Sequence, residues 1–254
     1  GRDKTLPPLS KLIHHADGIC LYRGRPFSTP TQDDTGFIQS DSVIWFSRTD
    51  VDEPENVPAE NFKVVSASLG RLHGFTNTQG SVLALYDNGY VSIRRLGTYL
   101  VFTEDATHGC GCQQDEAFVS SKTHAVWWGT EGIWIYDPGS MIMPMNLGKP
   151  IRDWVKQINE YAKSYLNLQV RFGLDPEHGI LYANATDGDK IAEGMVYSFG
   201  QVPEGFDWSA GTWCKREDWP VECMSYCRGV DSTSREYTLF AMQNAVTAFY
   251  FKYY

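Results

Sequence analysis

Three features of the sequence predict an all-β fold. Short β-prone runs alternate with tight-turn residues along most of the chain, and aromatic residues make up 14% of it. A single substantial helix pattern, amphipathic and confined to residues 150–163, interrupts them. The predicted architecture is a β-propeller of four to six antiparallel blades with one short inserted helix, the whole of 1–254 forming one domain. A β-sandwich with Greek-key loops is the alternative.

The unit that sets the pattern runs over residues 111–151. Three β-prone runs, 117–121, 125–129 and 132–136, are punctuated by Thr130-Glu131-Gly132 and Asp137-Pro138-Gly139. Runs this short with turns this close leave no room for a helix between strands, so neighbours must pair antiparallel.

Taken from the start, a polar, Pro-bearing lead-in ends at a β-prone run around Ile19-Cys20-Leu21-Tyr22, and residues 28–40 form a polar loop. Val43-Ile44-Trp45-Phe46-Ser47 is a continuous apolar strand, followed by an acidic loop with Pro54 and Pro58. Strands follow at 62–67, 71–75 and 81–86. Asn88-Gly89 is the strongest hairpin signal, because both residues tolerate positive φ. Residues 90–95 answer it, and 99–103 add a further strand.

After the 111–151 unit, Ile151, Trp154, Val155, Ile158 and Tyr161 fall at helical spacing, with Pro150 suited to the first helical position. Strands resume at 168–172, 180–184, 195–199, 208–213, 221–226, 237–242 and 246–251. Asp175-Pro176-Glu177-His178-Gly179 supplies one of the turns. Roughly seventeen runs at four per blade give the four to six blades. A repeat of apolar strand, short turn and apolar strand every ~40–50 residues is the mark of a propeller.

A formal charge of −9 argues against a general nucleic-acid binder, and Arg94-Arg95 and Lys215-Arg216 are isolated basic pairs. No apolar run reaches the ~20 residues of a membrane helix. Six cysteines include C-x-C at Cys110 and Cys112 and C-x-x-x-C at Cys223 and Cys227. Neither spacing suits paired zinc knuckles, so buried free thiols and assembly in a reducing compartment are expected. No metal and no cofactor are predicted. With Gly at position 1, the chain reads as a processed form or a part of a longer protein.

A glycosidase needs two facing carboxylates. Asp115, Glu116, Asp137, Asp153 and Asp207 are the candidates, and each has a structural explanation in a turn, a first helical turn or a loop. The histidines are His14, His15, His73, His108, His124 and His178, and no G-x-S-x-G elbow or phosphate loop accompanies them. Residues 207–213 resemble the aspartate turn of sialidases, but Asp207 stands four residues before Gly211 instead of two. No catalytic residue is assigned, and the chain is expected not to be an enzyme.

The order of features resembles the β-propeller of phage tail-nozzle proteins, the tail tubular or stabilisation proteins of short-tailed bacteriophages. Val43-Ile44-Trp45-Phe46-Ser47 followed by Asp52-Glu53-Pro54-Glu55-Asn56 is similar to that family's strand before an acidic loop. Gly111-Cys112 is similar to the opening of a blade there. Glu131-Gly132-Ile133-Trp134-Ile135-Tyr136-Asp137 resembles its hairpin, and residues 147–158 resemble the turn and short helix that follow.

The resemblance implies a structural virion subunit of the tail, a nozzle or tail-tube component lining part of the genome-ejection channel. It implies a homo-hexamer that packs against other tail or connector proteins and lets double-stranded DNA pass without specific binding. The location would be the virion tail, after assembly in the host cytoplasm, with no membrane-spanning segment. The alternatives are a propeller module that binds a glycan or protein through an exposed tryptophan such as Trp127 or Trp128, and a propeller hydrolase.

Overall fold

Strands dominate the computed structural model of the chain. It describes residues 61–216, apart from 79, 97–98, 107–108, 116, 166–167, 177, 187–191 and 204, together with five strands outside that span. In chain order the strands fall into successive groups. The first is β1 (Ile19–Tyr22), β2 (Arg25–Ser28), β3 (Val43–Phe46) and β4 (Phe62–Val64). The second is β5 (Leu72–Asn77), β6 (Val82–Tyr86), β7 (Gly89–Leu96) and β8 (Tyr99–Asp105). The third is β9 (Phe118–Ser120), β10 (Ala125–Trp128), β11 (Ile133–Tyr136) and β12 (Met145–Asn146). After the helix α1 (Arg152–Ser164) come β13 (Gln169–Asp175), β14 (Ile180–Thr186), β15 (Ala192–Val202) and β16 (Gly205–Arg216), then β17 (Cys223–Val230) with β18 (Glu236–Met242).

Each group is its own sheet, and within it every strand bonds to the next in sequence. Neighbours run antiparallel, as in β5–β6, β7–β8 and β13–β14. A Greek key would set some strand beside a non-consecutive partner. None of the described sheets does so. Four-stranded meanders repeated along the chain are the blades of a β-propeller, and the sandwich alternative does not fit them. The expected strand at 246–251 and the loop at 29–40 lie outside the described residues.

The chain divides into two compact units. One comprises residues 1–115, 122–125 and 136–143, and the other 116–121, 126–135 and 144–254. The core of the first is formed around Ile44, Leu69, Val82, Ala84, Val91 and Ile93, all fully buried. β6 is buried along its whole length, as a continuous Val-Leu-Ala-Leu-Tyr run requires of an inner strand. β8, at the outer edge, alternates: Leu100 and Phe102 pack toward the core while Tyr99 and Val101 are exposed.

In the second unit, Trp154, Val155 and Ile158 of α1 are buried against Trp128, Ile133, Val170 and Leu181. A 3-10 turn, Lys149–Ile151, carries Pro150 into the helix. Asp153 in the first turn and Lys163 in the last both suit the helix dipole. Trp128 meets Trp154 edge to face at 5.5 Å.

Three local outcomes differ from the sequence expectation. The hairpin after β6 turns on Asp87 and Asn88, because Tyr86 pairs with Gly89. Gly89 is not a positive-φ turn residue but the first of β7, and a Cβ there would collide with the carbonyl of Asp105 on β8. β2 forms from Arg-Pro-Phe-Ser, a Pro-bearing run placed beyond the β-prone segment, and β12 is a two-residue strand with no sequence signature. Trp127 and Trp128 on β10 are both fully buried, so neither is presented to solvent.

Candidate functional site

The densest group of ionisable side chains among the described residues begins at an irregularity in β5. Leu72 pairs with Tyr86 and Gly74 with Leu85, which leaves His73 as the extra residue of a β-bulge. A bulge kinks the strand and re-aims a side chain. The kink holds Gly74 at φ +152°, a conformation side chains avoid.

The His73 side chain is only 5% exposed, and each ring nitrogen meets a carboxylate. Nε2 lies 2.7 Å from Oδ1 of Asp87, in the β6–β7 turn, and Nδ1 lies 2.8 Å from Oδ1 of Asp115, in the stretch after β8. Arg71 closes the group. Its backbone N–H donates to Oδ2 of Asp87 at 2.7 Å, and its guanidinium to Oδ2 of Asp115 at 2.6 Å.

Backbone contacts fix this arrangement. Asp87 N–H donates to the Arg71 carbonyl at 3.0 Å, Asn88 N–H to that of Leu69 at 3.0 Å, and Cys112 N–H to that of Tyr86 at 2.8 Å. The Gln113 side-chain amide donates to the Asp87 carbonyl at 3.2 Å. Two glycines make the close approach possible. A Cβ on Gly70 (φ +80°) would sit 2.7 Å from the Asp87 carboxylate, and one on Gly111 would strike the Asp87 carbonyl.

Chemically this is a fastening. With both nitrogens directed at carboxylates and the ring covered, His73 presents neither nitrogen to a substrate hydroxyl. Cys112, next to the group, is fully buried; burial pushes its thiol up to about 12, and the Cys110 thiol is pushed to about 12 for the same reason. Neither supplies a thiolate nucleophile near neutral pH.

The other sequence candidates are placed separately. Asp137 accepts from the Gly139 N–H at 2.7 Å and the Ser140 hydroxyl at 2.6 Å, as a turn former does. Asp153 lies in the first turn of α1. Asp207, on β16, accepts from the N–H of Ser209 at 2.8 Å and from its hydroxyl; these bonds hold its carboxyl below the usual range. His124 is buried, which lowers its proton affinity, and its Nδ1 meets the Thr123 hydroxyl at 2.7 Å. His178 sits 2.7 Å from the buried Asp175 within one turn. His14, His15, His108 and Glu116 lie outside the described residues.

Of the candidates, the structure brings together only His73 and Asp115 among the described residues, and it adds Arg71 and Asp87, which the sequence did not single out. Asp87 as the residue before Asn-Gly was the available signal, but it reads as a turn residue and nothing more. No group of three or more His, Cys, Asp or Glu side chains able to hold a metal ion occurs among the described residues. No helix of the described residues is long and apolar enough to cross a membrane.

No protein-family model matches the chain, and no curated protein matches it. Among solved structures the chain is similar to the N-terminal domain of Nup159, with a TM-score of 0.42 and 9% identity over 89% of this chain. The match spans 57% of that chain's length. A likeness at this score carries no conclusion, and the fold rests on the sheet topology described above.

Proposed function

We propose that the chain is a structural subunit of a short-tailed phage tail, a nozzle-type propeller whose copies pack as a homo-hexameric ring against other tail or connector proteins. The sequence resemblance supplies the family. The observation that supports a subunit role is the outer β7–β8 hairpin. Leu96 and Tyr99 are paired across it and stand 71% and 77% exposed. Large apolar side chains exposed at the end of a hairpin are a liability unless something covers them, and a neighbouring subunit would. Ring closure calls for such a patch to meet a different surface of the next copy. The charge of −9 suits a channel wall that DNA passes without adhering. In this reading the chain is not an enzyme, and it works in the virion tail after assembly in the host cytoplasm.

Molar mass by light scattering on the purified chain and on a Leu96→Glu/Tyr99→Glu variant tests the subunit role. The expected result is a ring-sized oligomer for the parent and a folded monomer for the variant. A parent that stays monomeric at every concentration, or a variant that assembles unchanged, overturns it.

A further inference from the structure

The group around His73 joins three separate segments: β5, which carries His73 with Arg71 just before it, the β6–β7 turn with Asp87, and the stretch after β8 with Asp115. Its hydrogen bonds require a definite number of protons. A neutral imidazole has one N–H and one lone pair, whereas an imidazolium has two N–H groups. Each nitrogen of His73 lies within 2.8 Å of a carboxylate oxygen. A neutral ring would set its lone pair against a lone pair of one of those carboxylates, in a place where the ring is almost wholly covered.

In the doubly protonated form each carboxylate receives an N–H from the ring. Cys112 is a further titratable group beside the two carboxylates, and it brings no charge, since burial holds its thiol at about 12. The two arms of the group differ. The Asp87 carboxylate, 41% exposed, also accepts from the fixed Arg71 backbone N–H, whereas that of Asp115, 51% exposed, is held from its other side by a guanidinium that is 60% exposed.

We propose that His73 is a doubly protonated clamp whose imidazolium ties the 113–115 stretch to the β6–β7 turn, and that loss of its second proton loosens the Asp115 arm. The device makes the link leading from β8 to β9 sensitive to pH while the blade itself stays folded. It does not depend on the tail reading, because it rests on the geometry of this group alone.

The test is nitrogen-15 NMR of the His73 ring in the full chain, followed with pH, alongside amide-exchange protection factors for Gln113, Gln114 and Asp115. The expected result is a ring that carries two N–H groups while residues 113–115 are protected. As pH rises, the ring should lose one proton and protection of residues 113–115 should fall about tenfold in the same step. Asp115→Asn should leave the ring titration without its companion change in protection. Two results overturn the proposal: a ring carrying a single N–H throughout the range in which the chain is folded, or protection that ignores the ring's titration. Since the decisive readings are on the parent chain, a variant that fails to fold does not remove the test.

Discussion

The indole N–H of Trp128, on β10, donates to Oδ1 of Asn159 on α1 at 2.7 Å. The same amide donates from Nδ2 to the carbonyls of Gly129 and Thr130, at 3.1 and 2.9 Å. One helical side chain thus satisfies a buried indole and pins the turn that follows its strand. Asn159→Ala leaves these partners unpaired and is expected to cost about 1–3 kcal/mol, read from urea unfolding followed by tryptophan fluorescence. A change below about 0.5 kcal/mol would show that the contact is incidental.

Gly89→Ala forces a methyl group against the Asp105 carbonyl and is expected to destabilise the chain by about 1–3 kcal/mol. Gly80→Ala is the matched control, since a Cβ there meets nothing within 4 Å. It should shift stability by no more than about 0.5 kcal/mol. Equal effects of the two substitutions in thermal unfolding would contradict the close-approach role of Gly89.

The buried thiols give a prediction with a definite sign. Cys110 and Cys112 are raised by burial from 9.0 to about 12, so the folded state holds protons that the unfolded state releases first. Their contribution is fully present below about pH 9 and is lost as pH climbs toward 12. Tyr90, also raised by burial, acts in the same direction. The thermal midpoint should therefore fall through the alkaline range, and less steeply in a Cys110→Ala/Cys112→Ala variant. Alkylation mapped by mass spectrometry should find exposed Cys214 modified in the native chain, and Cys110 and Cys112 only after unfolding.

Asp137→Ala removes the acceptor for the Gly139 N–H and the Ser140 hydroxyl. A loss of about 1 kcal/mol is expected in urea unfolding, with Asp137→Asn retaining part of it. Any hydrolase assay should be indifferent to this substitution if Asp137 is a turn former only.

What the sequence made legible follows from periodicity. The Val-Leu-Ala-Leu-Tyr run of β6 and the spacing of Trp154, Val155 and Ile158 announce an inner strand and an amphipathic helix, because burial selects residue type at each step. The turn at Asp87-Asn88 shows the limit. Asn-Gly predicts a turn residue at Gly89 for its backbone freedom, yet its role is to let β8 approach, which depends on a strand not visible from the dipeptide. Nor does alternation along β10 say whether both faces of its sheet are covered, and Trp127 and Trp128 are both buried. The His73 group was illegible because its members are spread over positions 71 to 115 and meet only through a bulge in β5. A bulge has no composition signal strong enough to find it.

Electron microscopy of intact particles tests the proposed role most directly. The account predicts density for this chain as a six-fold ring around the tail channel, with the Leu96–Tyr99 hairpin against a neighbouring subunit. Purified particles without such density, and the chain recovered as a free monomer, would contradict it.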